Sequence, residues 1–250
     1  MAQDLGMGID PRITPAFHPQ NIAALDEYDS ETEGELRQVV DAFTSLYQGI
    51  GKVIDARDAA MANGAWTDDM KVIKVQEAAD RAFAKFAPAL DKVHANMRSG
   101  VALIERELAT PVEASAAASV AAEIRAHVKG LAERQGGSTL DKRPGQSAIG
   151  FVQAAIQNGD HKTATAILGA PPYLSGITPE MHAALLRQWH EKANPVASKR
   201  LRAMQSAMAI IQDRGALVHG ELEKLVGKSP AHAKALRDRN TAAEKALSGI

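Results

Sequence analysis

The chain has 250 residues, 45% of them apolar and only 4% aromatic, with no cysteine and a formal net charge of −1. The apolar share excludes a disordered polymer and is enough for a real core, while the missing cysteines exclude disulfides and thiolate metal sites and fit a reducing compartment. The small net charge hides a sorted one: residues 1–35 carry eight Asp/Glu against Arg12 alone, residues 36–186 balance, and residues 187–250 carry twelve Lys/Arg against six Asp/Glu.

Residues 1–28 are punctuated by Gly6, Gly8, Pro11, Pro15 and Pro19 and read as an extended N-terminal arm. An arm of this kind lies on a surface. The surface expected is a neighbouring subunit, gripped by the apolar Ile9, Ile13, Phe17 and Ile22 and steered by acids such as Asp26 and Glu27. Ser30-Glu31-Thr32-Glu33 reads as a capping box with Ser30 as N-cap. Leu36, Val40, Phe43, Tyr47, Ile50 and Ile54 then recur at spacings of four and three, which predicts an amphipathic helix ending near Asn63-Gly64. Gly49 and Gly51 in that helix allow a neighbour to approach closely.

A second helix starts at Thr67 or Asp68 and runs through Ala79, Phe83, Phe86, Leu90, Val93, Met97, Val101, Ile104 and Leu108. Pro88 is expected to kink or break it. Thr110-Pro111-Val112-Glu113 predicts the next helix start, with Ala116, Val120, Ile124, Val128 and Leu131 on its apolar face. Residues 136–145, rich in Gly, Pro and Ser, read as a linker. Short helices follow over 146–157 and 160–168, then a rigid turn from Ala170 to Gly176. Thr178-Pro179, Asn194-Pro195 and Ser229-Pro230 open three more helices, the middle one the longest. No alternating strand is evident and no repeat recurs at a fixed period. The fold class is therefore all-α: long antiparallel helices in a bundle over 29–135, then a smaller helical domain over 146–250 whose core Trp189 and Tyr173 anchor.

Chemistry is sought and mostly not found. Gly227-Lys228-Ser229 resembles a phosphate loop in part only, because Leu222 stands where the motif needs glycine and Pro230 follows. It reads as the end of one helix and the cap of the next. The eight histidines show no i, i+4 pair and no HExxH. His182 and His190 lie two turns apart on one helix, and a pocket near them is the place a helical enzyme would need. No catalytic residue, metal site or cofactor is assigned, and no enzymatic activity is expected. No apolar run reaches the roughly 18 residues of a membrane span, so no membrane anchor is expected.

The basic rear has two clusters, Lys199, Arg200 and Arg202 in one helix and Lys234, Arg237 and Arg239 in the next. Such stripes neutralise DNA phosphates, and a nucleic-acid-binding module is the alternative reading. Interleaved acids and the lack of a stacking aromatic nearby favour a protein contact instead.

The stretch Ala154-Ala155-Ile156-Gln157-Asn158-Gly159-Asp160, with Ala164 to Gly176 after it, resembles a segment of helical virion proteins of tailed bacteriophages. The resemblance implies a virion component of the head, neck or ejection apparatus, whose partners are copies of itself and other virion proteins. It implies no catalytic residue, and the localisation it implies is the virion, with the cytoplasm as the alternative. The expected mechanism is a homo-oligomer in which the acidic arm of one copy docks on the basic rear of the next.

Overall fold

The computed structural model describes residues 5–110, 112–133 and 147–248. All regular structure among them is helical: α1 (Gln20–Ala23), α2 (Glu33–Ala62), α3 (Asp68–Leu108), α4 (Ala118–Glu133), α5 (Ala148–Gln157), α6 (His161–Leu168), α7 (Pro179–Ala193), α8 (Pro195–Val226) and α9 (Pro230–Ser248). Single turns of 3-10 helix stand at Pro15–Phe17 and Pro172–Leu174. The all-α class expected from the sequence is what the chain adopts. The expected linker, 136–145, lies outside the described residues.

The chain forms two compact units, Met1–Val101 with Arg202–Ile250, and Ala102–Leu201. This differs from the sequence division at 136–145. The reason is that α3 and α8 are each long enough to serve both units, so the boundaries fall inside helices where no Gly/Pro signal marks them.

In the first unit, contacts fix α2, α3 and α8 as antiparallel neighbours. Asn96 of α3 donates to Gln38 of α2 at 2.9 Å, and a Cβ on Gly49 would meet the Phe86 ring at 2.9 Å. Thus α3 descends as α2 rises, and Gly49 marks the close approach that its sequence position suggested. His94 meets Gln212 at 3.0 Å, Phe83 packs on His219 with ring centroids 4.9 Å apart, and Met204 Sδ lies where a Cβ on Gly100 would be. These give α8 the opposite direction to α3. Arg237 of α9 reaches Asp80 of α3 at 2.7 Å. Helix α3 runs unbroken through Pro88, which removes one backbone donor without ending the helix.

Residues 5–31 are not an extended arm. From Pro11 onward they fold into turns and short helices and pack on α2, with Ile13, Phe17, Ile22 and Tyr28 buried in their own chain. The Asp10 amide donates to the Tyr47 hydroxyl at 2.7 Å, His18 stands edge-on to the Tyr47 ring, and the Ile13 side chain rests against Gly51. The turn into α2 is closed by Thr32, not Ser30. The fully buried Thr32 hydroxyl donates to the Glu27 carbonyl at 2.5 Å and accepts from the Asp29 amide at 3.1 Å. Helix α2 therefore starts at Glu33 with no side-chain cap of its own, because that hydroxyl is already committed.

In the second unit, α6 packs on α4, α5 and α7. The core is Val128, Ala148, Val152, Ile156, Ala164, Ile167, Leu168, Ile177 and Leu185. Local caps decide the boundaries, the one at Thr178 as expected. Ser147 accepts from the Gly150 amide, Asp160 from Thr163 and Thr178 from Met181. Gly159 and Gly176 take positive φ, 71° and 66°, where any other residue would be strained. The helix start expected at Thr110-Pro111 does not form. The Thr110 hydroxyl instead donates back to the Arg106 carbonyl, closing the end of α3, and α4 begins only at Ala118.

Candidate functional site

The segment 112–117 earns its place as one wall of a cleft in the second unit. Val112 is buried, and the segment crosses so close to the end of α6 that a Cβ on Gly169 would lie 2.4 Å from the Val112 carbonyl oxygen. Only glycine admits that approach. Ser115 completes the seam: its amide donates to Thr165 Oγ1 at 3.1 Å, and the two hydroxyls are 2.8 Å apart. Thr165 in turn donates to the His161 carbonyl one helical turn before it. Both hydroxyls thus serve to hold 112–117 on α6, and their ring neighbour His161 enters through its backbone, not its imidazole.

The cleft so formed measures about 480 Å³ and is lined by Glu107, Glu113, His161, Trp189, His190 and Asn194, among others. His190 is its most deeply buried titratable group, 5% exposed. Its Nε2 lies 3.1 Å from the Thr110 carbonyl oxygen, which can only accept, so Nε2 carries the proton and Nδ1 is the bare nitrogen. Nδ1 has no partner among the described residues. Burial pushes the His190 pKa below the usual histidine value, against the opposing pull of the Thr110 carbonyl. Trp189 stands edge-on to the His190 ring and is half-buried against the core. No group of three metal-ligating side chains exists among the described residues, and no described helix is long and apolar enough to cross a membrane.

The residues singled out for interaction are scattered, and several are spent inside the chain. Ile13, Phe17 and Ile22 are 4%, 0% and 0% exposed, so they cannot grip a neighbour while this fold stands; Ile9 alone of that set is open, at 74%. Arg12, the lone base of the acidic arm, pairs with Asp10, Asp55 and Asp58. The arm is thus held to α2 by its cation, not offered to a basic partner by its acids. The Arg12 guanidinium also holds the Asp10 carboxyl below the usual range. Asp26 is exposed and Glu27 half-buried, and the Glu27 carbonyl serves the Thr32 turn. Lys199 and Arg200 belong to the second unit, while Arg202, Lys234, Arg237 and Arg239 belong to the first. Of these, Arg237 is committed to Asp80; Lys234 and Arg239 are exposed on α9. The glycine of Gly227-Lys228-Ser229 follows the last residue of α8 with φ 75°, and Ser229 caps α9, so that motif ends one helix and starts another.

Tyr173 corrects the sequence reading most sharply. Expected as a core anchor, it is 72% exposed, and Leu174 beside it is 41% exposed. The backbone explains this. Pro171 and Pro172 fix the 3-10 turn, and Gly176 at positive φ seats the turn on Lys129 and Ala132 of α4. Ile177 takes the inward position instead, 6% exposed. A periodicity argument has no purchase on a single 3-10 turn, so nothing in the spacing told Tyr173 from Ile177.

Fold and site together define an all-α protein of two compact helical units, with an open cleft and an exposed apolar turn among the described residues of the second. Compared with known protein families, curated proteins and solved structures, the chain matches none of them.

Proposed function

We propose that the chain is a structural subunit of a multi-copy assembly, a component of a tailed-phage particle, and that it acts by packing against copies of itself. The observation that carries this reading is the Pro171–Gly176 turn. It holds a tyrosine and a leucine in solvent on a 3-10 turn whose φ is fixed at Pro171 and Pro172. Scattered exposed apolar residues are ordinary, but two adjacent ones on a proline-fixed turn have less entropy left to lose on binding. Tyrosine is also a residue type that interfaces favour. The same turn closes the segment whose likeness to phage virion proteins points to a particle.

The arm-docking mechanism is not retained, because the arm's apolar anchors lie in the chain's own core. The geometry also gives no support to a nucleic-acid interface, since Arg237 is bonded to a carboxylate and the two basic clusters divide between units.

The test is the mass of the purified chain in solution, measured by light scattering or native mass spectrometry across micromolar concentrations. The expected result is a multiple of 26.6 kDa, and a chain that stays at 26.6 kDa at every concentration contradicts the reading. Finding the chain by mass spectrometry in purified particles is the test of its place in a virion.

A further inference from the structure

We propose that the Tyr173–Leu174 turn of one copy inserts into the groove between α3 and α8 of the next, making a head-to-tail contact; the inference rests on the assembly reading above. The groove lies wholly within the first unit. It has a section of about 420 Å³ floored by Phe83, Phe86, Leu90, Ile211 and Val218, and a second of about 230 Å³ beyond the Phe83–His219 ring contact. Its width has a local cause. Gly215 of α8 faces it, and a Cβ there would meet nothing within 4 Å. A glycine in mid-helix costs helix stability, and here it leaves a gap in the apolar seam where a side chain would fit.

Charge selects a second copy of this chain as the occupant. Asp91 and Glu223 stand at the groove, and no lysine or arginine lines either section. Asp80, the third carboxylate, is already paired with Arg237. The turn carries the opposite sign: Lys129 lies against Gly176, exposed and without an ion pair among the described residues. The nearest acid in sequence, Glu180, lies in the first turn of α7, where the amide end of the helix offsets its charge. An apolar pair flanked by a cation thus faces an apolar groove flanked by carboxylates. The two surfaces differ, so the contact is heterologous and leaves one turn and one groove open at the ends of any chain of copies, until the rotation closes a ring.

That asymmetry gives the test. Tyr173→Ser with Leu174→Ser removes the turn's side chains and keeps the groove. Gly215→Leu fills the groove, favours the helix and keeps the turn. Each variant is first shown to keep the wild-type circular dichroism and, at concentrations too low for assembly, the wild-type melting temperature. Each alone is expected to run as a monomer at concentrations where the wild type assembles. An equimolar mixture is expected to give a species of twice the 26.6 kDa chain mass and nothing larger, because one good turn meets one good groove. Variants that assemble like the wild type overturn this contact and leave the assembly reading standing. Monomeric variants whose mixture stays monomeric overturn it too, and so does a Gly215→Leu variant that still assembles while the turn variant does not, the pattern of a symmetric turn-to-turn contact. A wild type that is itself monomeric removes both.

Discussion

The N-terminal segment 5–31 and the turn 170–177 are alike in sequence and opposite in use. Both are Pro/Gly-punctuated, irregular and furnished with large apolar side chains. In the first, Phe17 and Ile22 are fully buried against α2; in the second, Tyr173 and Leu174 stand in solvent. What separates them is the surface each meets. The N-terminal segment lies beside a helix with glycine at 51 and a tyrosine hydroxyl at 47 ready to receive it. The turn rests through Gly176 on Lys129 and Ala132 of α4, and the Tyr173 ring stays in solvent. Irregular segments are therefore not surface by default, and a segment's role depends on the face opposite it.

The sharpest way to break this comparison is to delete a side chain from each region. Phe17→Ala is expected to lose about 4 kcal/mol of stability, read as a lower denaturant midpoint, because it empties a fully buried ring site. Tyr173→Ala is expected to change stability by less than about 0.5 kcal/mol. Gly169→Ala comes next, at about 3 kcal/mol in the same assay, since its Cβ would strike backbone oxygens of Val112 and Thr165 at 2.4 and 2.8 Å, atoms that cannot swing aside. Thr32→Val is expected to cost about 2 kcal/mol in thermal unfolding, because the Asp29 amide and Glu27 carbonyl lose their buried partner.

The smallest expected effect is a pH dependence from His190. Its pKa is lowered by burial from an ordinary value of 6.5, so the unfolded chain binds the proton more readily than the folded one. The contribution is fully present above pH 6.5 and is lost as pH falls toward the depressed folded value. Melting temperatures measured from pH 7.5 down to 5.5 should therefore fall, and His190→Gln should flatten that slope; an unchanged slope in the variant would show that another group titrates.

The helices were legible because each announces itself locally. The 4-3 spacing of Leu36 to Ile54 gave α2, and Thr178 and Ser229 marked true starts. Two starts misled for a shared reason. Ser30 and Thr110 have the right chemistry for a cap, but Thr32 closes the preceding turn and the Thr110 hydroxyl turns back to Arg106. Unit boundaries inside α3 and α8 left no compositional trace. The cleft was only half visible. His190 stood out as a histidine, whereas Ser115 and Thr165 are 50 residues apart and meet only through the Gly169 crossing. The groove had one sign in the sequence, Gly215 in the middle of a long helix, and its meaning depends on Phe83 and Leu90 of a distant helix.

On the proposed reading, the Pro171–Gly176 turn is covered by another copy. That claim is tested most directly by sedimentation of the wild type and the Tyr173→Ser, Leu174→Ser variant side by side, with melting temperature recorded on dilutions of the same samples. The expected result is assembly in the wild type alone, with melting temperatures that agree at concentrations too low for assembly. Equal sedimentation of both, at whatever mass, would contradict it.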